Sequence, residues 1–594
     1  MILFFDYEVF EEDWVMVGIC PELREEEIIV NDQDKMLSYY NKHKEDIWVG
    51  YNSRNYDQWI LKAIICGFNP KEVSDFIIIE ERKGFEYSKL LSQVKLYTYD
   101  CMSKFNSLKQ LEAFMGNDIR ETSVPFDIKR RLTKQELDET IKYCKHDVEQ
   151  TMEVFLQTID DFNAHMALIS EFNLGLSAIS KTQAQLAAMA IGCVKKEHSD
   201  AWEIGFVPTI QISKYRDVMD WYRDPNNYKD GKSNYIRMVC GVPHVFGLGG
   251  LHGAVGSIKT NRNGKQTIST KKIHETGLIV HVDVSSFYPS MMIQYNLLTR
   301  NASDPSKFKD IYDKRIALKK AGKKKEQAPY KIILNSTYGI SKDKYSKAYD
   351  PRRGTEICVN GQLLILDLLE HLEGHCKVLQ SNTDGLIVKV KDNDKAWNAF
   401  DDICYEWEQR TGVGLTFDFI KELYQGDVNN YLWIAYDGSV EYKGAYVKEK
   451  NPLDNDMPIV NKAIVERLVN KIPIEETILA CDDLISFQKI FKVTAKYKCA
   501  WHNGEYLNEK TYRVFASKRF GDSYLGKVKD KPITSNGETF FRESIEKFAN
   551  CPEHCFIINS AITGQKVGNL PVDKMWYVNL ARKRIEEKFG ITTR

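Results

Sequence analysis

Two groups of acidic residues in this 594-residue sequence are spaced as metal-binding carboxylates would be. In the first, Asp6 and Glu8 stand two apart in Ile2-Leu3-Phe4-Phe5-Asp6-Tyr7-Glu8. Residues two apart on a strand face the same side, so both carboxylates point one way from a rigid support. Asp57 closes Asn52-Ser53-Arg54-Asn55-Tyr56-Asp57, directly after the apolar Ile47-Trp48-Val49-Gly50-Tyr51. Asp147 follows Tyr143 by one helical turn. Four carboxylates converging in this way can hold two cations about 4 Å apart, one activating water and the other stabilising the leaving oxygen of a phosphodiester. Tyr143 would orient that water.

The second group begins with Asp283, at the end of the apolar Leu278-Ile279-Val280-His281-Val282 and just before Ser285-Ser286-Phe287-Tyr288-Pro289-Ser290. A buried acid without a partner is costly, so an Asp in this place caps a helix or binds a cation. Asp384 lies in Ser381-Asn382-Thr383-Asp384-Gly385, which reads as a hairpin turn between Val378-Leu379 and Leu386-Ile387-Val388. Two strands side by side would bring Asp283 and Asp384 over one pair of metals. Between them, Lys331, Asn335 and Tyr338 share one helical face, and upstream Arg315 and Lys319 are also one turn apart. Three cations aimed at one place suit a triphosphate, whose charge they would neutralise as pyrophosphate departs.

These residues need elements to hold them. Residues 1–165 alternate strand-like runs (Ile2–Phe5, Ile78-Ile79, Val94–Tyr97) with helices, the pattern of an α/β layer fold. The block ends in a long helix. Thr133-Lys134-Gln135-Glu136 reads as its capping box, and Leu137, Ile141, Cys144, Val148, Phe155 and Ile159 recur at helical spacing, with Tyr143 and Asp147 on another stripe. Further on, Asp224-Pro225-Asn226-Asn227 reads as a turn, and the Gly-rich Phe246-Gly247-Leu248-Gly249-Gly250-Leu251-His252-Gly253 as a loop of close backbone approach. A basic helical hairpin at about 310–345 and a β-hairpin around Asp384 follow; the C-terminal third reads as helices, at about 458–470 and 573–588, among polar loops. The sum is a multidomain α/β and α+β fold.

Bulk properties set the bounds. With 43% hydrophobic residues the chain can bury several cores, and its length suggests about four domain-sized units. No apolar stretch reaches membrane-spanning length and the N-terminus has no basic, apolar or cleavage-site pattern, so a cytoplasmic protein with no membrane partner is expected. The thirteen cysteines form no CxxC pair and read as reduced thiols. A net charge of −1 excludes a uniformly basic coat, so any DNA contact must come from local segments such as Lys319-Lys320-Ala321-Gly322-Lys323-Lys324-Lys325.

In order and element type, the first group resembles the three Exo motifs of the DEDDy 3′→5′ exonucleases fused to family B DNA polymerases. The resemblance implies an RNase H-like exonuclease domain over 1–165, with Asp6, Glu8, Asp57 and Asp147 as metal ligands, Tyr143 as the water-positioning tyrosine and Asn52 near the primer end. The second group resembles motifs A, B and C of the same polymerases. Motif B reads Lys-x-x-x-Asn-Ser-x-Tyr-Gly from Lys331, and motif A ends Phe-Tyr-Pro-Ser. This implies a right-hand polymerase: a connecting region over 166–275, palm over 276–310 and 346–445, fingers over 311–345, and thumb with the C-terminal region over 446–594. It also implies that Asp283 and Asp384 hold two Mg²⁺, or Mn²⁺, and that Arg315, Lys319, Lys331, Asn335 and Tyr338 bind the incoming dNTP. Tyr288 would lie under its sugar, where a ring excludes a 2′-hydroxyl. Gly249 and Gly250 are similar to the loop that hands the primer strand across, and Tyr431 to a tyrosine that grips primer-template DNA.

The sequence departs from the family at Asn382, where motif C usually has Asp, and at Asp427-Val428-Asn429-Asn430-Tyr431, where a lysine-rich motif is usual. If Asn382 stands for a lost carboxylate, Asn382→Asp is expected to lower the magnesium requirement. The early start of the exonuclease motifs fits a bacteriophage replicative enzyme, with phage replication proteins as further partners. Spacings of 331 − 283 = 48 and 384 − 331 = 53 leave little room for the insertions of terminal-protein-primed enzymes, which argues for a nucleic-acid primer. Two rival readings are an exonuclease with an inactive polymerase half and a non-catalytic DNA-binding replication factor.

Overall fold

The computed structural model describes residues 1–102, 106–535 and 538–592. The chain forms a mixed α/β, multidomain structure of two compact units. One comprises 1–180, 449–459 and 475–578; the other comprises 181–448, 460–474 and 579–594.

The first unit is built on a five-stranded sheet ordered Glu25–Val30, Trp14–Cys20, Ile2–Val9, Ile47–Gly50, Tyr97–Asp100. The first three strands are antiparallel, and the last two run parallel to Ile2–Val9. Strand alternation divides Ile2–Val9 cleanly. Leu3, Phe5, Tyr7 and Val9 enter one core with Trp48 and Met16, while Phe4, Asp6 and Glu8 take the other face. There Phe4 packs edge-on against Phe155 of the Lys134–Gln157 helix, 5.3 Å between ring centroids.

That helix starts at the Thr133 cap, with Glu136 closing the capping box, and its buried stripe includes Cys144, Val148 and Phe155. It stops at Gln157. Ile159 opens a new helix, Ile159–Glu171, instead of extending the same stripe. The expected strand at Ile78-Ile79 is absent: Asn69 caps a helix beginning at Pro70, whose apolar repeat carries through Val73 and Phe76 to Ile78 and leaves both isoleucines exposed. The strand expected from Val94 begins only at Tyr97, where Ile47–Gly50 offers a partner.

The C-terminal third is a second correction. The expected helices are there, as Pro458–Val469 and Lys574–Phe589, but between them lie a three-stranded sheet (Lys489–Lys492, Thr511–Ala516, Cys555–Ile557) and a four-stranded one (Glu505–Leu507, Cys499–His502, Gly526–Ser535, Glu538–Lys547) where polar loops were expected. Lys531 faces Arg542 and Asp530 faces Glu543 across the long hairpin, so charged residues of like sign stand opposite one another and no apolar alternation announces the strands.

The second unit is built on a nine-stranded sheet ordered Val440–Lys443, Asn430–Ala435, Leu415–Asp427, Ile273–Val284, Gly385–Val390, Cys376–Asn382, His252–Ala254, Val242–Phe246, Tyr235–Val239. Its central Ile273–Val284 strand is antiparallel to both neighbours. The Pro305–Lys320 and Ala328–Lys342 helices form the basic hairpin, and Pro351–Leu372 is buried along nearly its whole length. No helix among the described residues is long and apolar enough to cross a membrane.

Candidate functional site

The first unit brings Asp6, Glu8 and Asp147 together: one carboxylate oxygen from each lies within 4.8 Å of the others. Asp57 is buried at the first position of the Asp57–Ile65 helix and falls outside that set, yet its charge acts on Asp6 directly. All four are pushed above the ordinary carboxylate range, first by burial and then, for Asp6 and Glu8, by the charges of Asp57 and Asp147, with Glu8 adding to the rise at Asp6; at Asp147 a lysine offsets part of the rise. Hard oxygen donors with an excess of negative charge suit a divalent cation such as magnesium.

That lysine is Lys109, which sequence reasoning missed. It lies in the Leu108–Met115 helix and donates to Asp147 Oδ1 at 2.9 Å and Glu112 Oε2 at 3.1 Å, with its ammonium 4.7 Å from the Tyr143 ring centroid. His146 Nε2 also bonds Glu112, at 3.1 Å, while Glu112 Oε1 is buried without a partner among the described residues. The signal was present: Ser107 and Gln110 form a capping box, and Leu108, Leu111 and Met115 mark an apolar stripe that leaves Lys109 and Glu112 together on another. Asn52 has a left-handed backbone, φ +61°, and its N–H donates to Asp100 Oδ1 at 2.9 Å. Its side chain accepts from Asn55, so Asn52 shapes the turn leading to Asp57.

In the second unit, pairing of Asp283 with Gly385 sets Asp283 beside the hairpin turn that carries Asp384, and Val284 N–H donates to the Asp384 carbonyl at 2.7 Å. Burial and the nearby Asp384 raise the Asp283 carboxyl, against the pull of His281 and Lys319. Asp418 was also missed. It stands on the neighbouring strand opposite His281, bonded to it at 3.2 Å, and its charge reaches Asp283. Thr416-Phe417-Asp418-Phe419 alternates as a half-buried strand should, which places Asp418 on the face of Asp283.

A cleft of about 540 Å³ unites most of the expected residues of this group: Asp283, Asp384, Tyr288, Arg315, Lys319, Lys331, Asn335 and Tyr338 all line it. Arg315 Nη1 donates to Ser286 Oγ at 2.6 Å, and its Nε is buried without a partner among the described residues. The Tyr288 and Tyr338 rings meet at 4.7 Å. Gly361, on the Pro351–Leu372 helix, makes room for Tyr288: a Cβ there would stand 3.1 Å from its ring.

Gly249 and Gly250 belong to the same neighbourhood. A Cβ on Gly250 would lie 1.8 Å from Thr383 Oγ1, so only glycine lets the loop press on the turn that carries Asp384. The Gly249 carbonyl is held by Gln362 Nε2 and Cys358 Sγ, each at 2.8 Å, and Lys342 reaches the Leu248 carbonyl at 3.2 Å. Asn382 Oδ1 accepts the Thr383 N–H at 2.9 Å. Pairing of Gln380 with Ala254 and Ser381 with Gly253 puts His252 beside Asn382, whose side chain it contacts; burial lowers the imidazole pKa. Tyr431, expected at a DNA surface, is packed instead in the sheet core with its ring stacked 5.6 Å from Trp433, only its edge exposed.

No protein-family model matches the sequence, and no curated protein matches it. Among solved structures, the family B DNA polymerase from the hyperthermophilic archaeon Pyrobaculum calidifontis is similar at 14% identity and a TM-score of 0.40, over 100% of this chain and 78% of that one. A likeness of this size leaves the functional reading to the residues themselves.

Chemically, the first arrangement is an anionic centre with one resident cation, suited to metal-assisted attack on a phosphodiester. The second pairs carboxylates with a cationic wall across a cleft, an arrangement suited to a polyphosphate ester.

Proposed function

We propose that the chain is a template-directed DNA polymerase of family B, joined to a 3′→5′ proofreading exonuclease and replicating a bacteriophage genome from a nucleic-acid primer. The observation that carries this reading is the single cleft lined by Asp283, Asp384, Arg315, Lys319, Lys331, Asn335, Tyr338 and Tyr288. The short spacings between its three segments argue against terminal-protein priming.

In this reading Asp283 and Asp384 would hold magnesium in the cleft, and Asp6, Glu8, Asp57 and Asp147 would hold it in the other unit. Magnesium, when bound, supplies positive charge at the nucleophilic and leaving oxygens of a phosphoryl transfer. The remaining work falls to the chain. Arg315, Lys319 and Lys331 bind the β- and γ-phosphates of the dNTP, so that pyrophosphate leaves against fixed positive charge as the primer 3′-oxygen bonds to the α-phosphorus. Tyr288, backed by Tyr338, gives the sugar a rigid floor that a 2′-hydroxyl would strike. In the nuclease, Tyr143 orients a water toward the last phosphodiester. Lys109 orders Asp147 and supplies charge that a pentacovalent phosphate would use.

A 5′-labelled primer on a template, with and without dNTPs, tests this directly. Extension with dNTPs and shortening without them are expected. Asp384→Ala should abolish extension and keep shortening; Asp6→Ala with Glu8→Ala should do the reverse and raise misincorporation. Shortening alone in the unaltered protein would favour an exonuclease with an inactive polymerase half, and neither activity a non-catalytic DNA-binding factor.

A further inference from the structure

The helix that carries Lys109 and Glu112 is finished by residues from far along the chain. The last carbonyls of a helix have no partner within it. Here the Leu108–Met115 helix ends on Gly116, in the left-handed region at φ +86°. Arg513 Nη2 donates to the carbonyls of Ala113 at 3.1 Å and Asn117 at 2.7 Å, and Gln488 Nε2 donates to that of Phe114 at 3.0 Å. The Ile562 N–H reaches the Gly116 carbonyl at 2.8 Å. All these residues belong to the same compact unit.

Arg513 is 0% exposed and makes no ion pair among the described residues; its other donors meet Gln488 Oε1 at 3.0 Å and the Ser560 carbonyl at 2.8 Å. Burial lowers its pKa to about 10, with Asp118 and Glu112 opposing at longer range. A buried cation without a carboxylate is expensive unless dipoles replace the water it has lost. The dipoles here include the carbonyls at the negative end of one short helix, with Gln488 Oε1 and the Ser560 carbonyl beside them. Ala113 directly follows Glu112, and Lys109 lies one turn earlier. A displacement of about 1 Å at that end is therefore enough to break hydrogen bonds of the length that Lys109 makes to Asp147 and Glu112.

We propose that Arg513 and Gln488 are positioning residues for the carboxylate centre: by fixing the end of the Leu108–Met115 helix they fix Lys109 on Asp147, which makes the C-terminal β-rich segment a working part of the nuclease. The proposal rests on the exonuclease reading. Arg513→Lys keeps the charge but cannot span the carbonyls that the guanidinium bridges. With soluble, folded protein, the expected result is a fall in kcat for primer shortening of about 10- to 100-fold, the range for a residue that orients a ligand, with KM within about twofold and extension unchanged. Combined with Lys109→Ala, whose residual rate is read over long incubations, Arg513→Lys should cost nothing further. Gln488→Met, which removes the bond to Phe114 and the acceptor of Arg513 Nε but leaves Nη2 on Ala113 and Asn117, should give the same kcat split more weakly and stands in if Arg513→Lys does not fold. Wild-type shortening by both variants, or a loss that multiplies with that of Lys109→Ala, overturns the proposal while leaving the exonuclease reading intact. Absence of shortening in the unaltered protein overturns both.

Discussion

At the scale of single residues, the two centres differ in how far they can be tuned. Asp6, Glu8, Asp57 and Asp147 hold protons above the usual carboxylate range because they are buried and crowded. In the unfolded chain they ionise near pH 4. Without metal, the folded form then binds more protons than the unfolded one above that pH, so stability falls as pH rises through the window up to the raised values. A cation competes with the same protons and must bind more tightly as they leave. Thermal denaturation in chelator and in magnesium, from about pH 5 to 8, should show a magnesium-induced rise in Tm that grows with pH. A rise independent of pH would contradict the carboxylate assignment. Asn382 is the other case. Read from the sequence it is a lost acid, but in the fold it bridges the Thr383 N–H and His252. A carboxylate at 382 would find the imidazole before a metal, so Asn382→Asp alone should move the magnesium needed for half-maximal extension little. His252→Gln should cost about tenfold in extension, as removal of a supporting shell does. Asn382→Asp combined with His252→Gln should then lower the magnesium requirement. Titration of magnesium in steady-state extension decides it: a large shift from Asn382→Asp alone would make 382 a direct ligand position.

At the scale of elements, legibility followed periodicity. The Lys134–Gln157 helix, the hairpin around Asp384 and the basic helical pair were readable because cap, turn and apolar stripe agree with one another. The stripes that carry Lys109 and Asp418 were readable too but their roles were not, because an isolated charge on a short helix or strand looks like solvated surface until a partner from a distant segment meets it. The Gly526–Ser535 and Glu538–Lys547 strands were lost for the opposite reason: their order comes from pairing with each other, which single-strand patterning cannot register. The Leu248-Gly249-Gly250 stretch was visible only as part of a Gly-rich loop; the need for glycine at Gly250 came from Thr383. Gly250→Ala should therefore displace the turn that carries Asp384, costing roughly 1–3 kcal/mol of overpacking and most of the extension activity while sparing primer shortening. Equal melting temperature and full extension would show that the loop yields freely.

At the scale of the whole molecule, the expected linear order of domains and the compact units are different things. The chain enters the first unit in three segments, 1–180, 449–459 and 475–578, and the second in 181–448, 460–474 and 579–594. Interleaving of this kind ties the Leu108–Met115 helix to strands written some 400 residues later in the gene, as the 400-residue separation of Arg513 and Ala113 records. A protein ending at 448 should accordingly show exposed apolar surface and a lowered first melting transition, measurable by dye binding and calorimetry; a native-like transition would mean that 1–180 is self-sufficient. During synthesis, then, the first unit gains its last segment only with residues 475–578 and the second only with residues 579–594, so a stop codon before 578 would leave both incomplete. Such wiring also forbids the trading of either unit between genes by simple end-to-end fusion, so that the two are inherited as one.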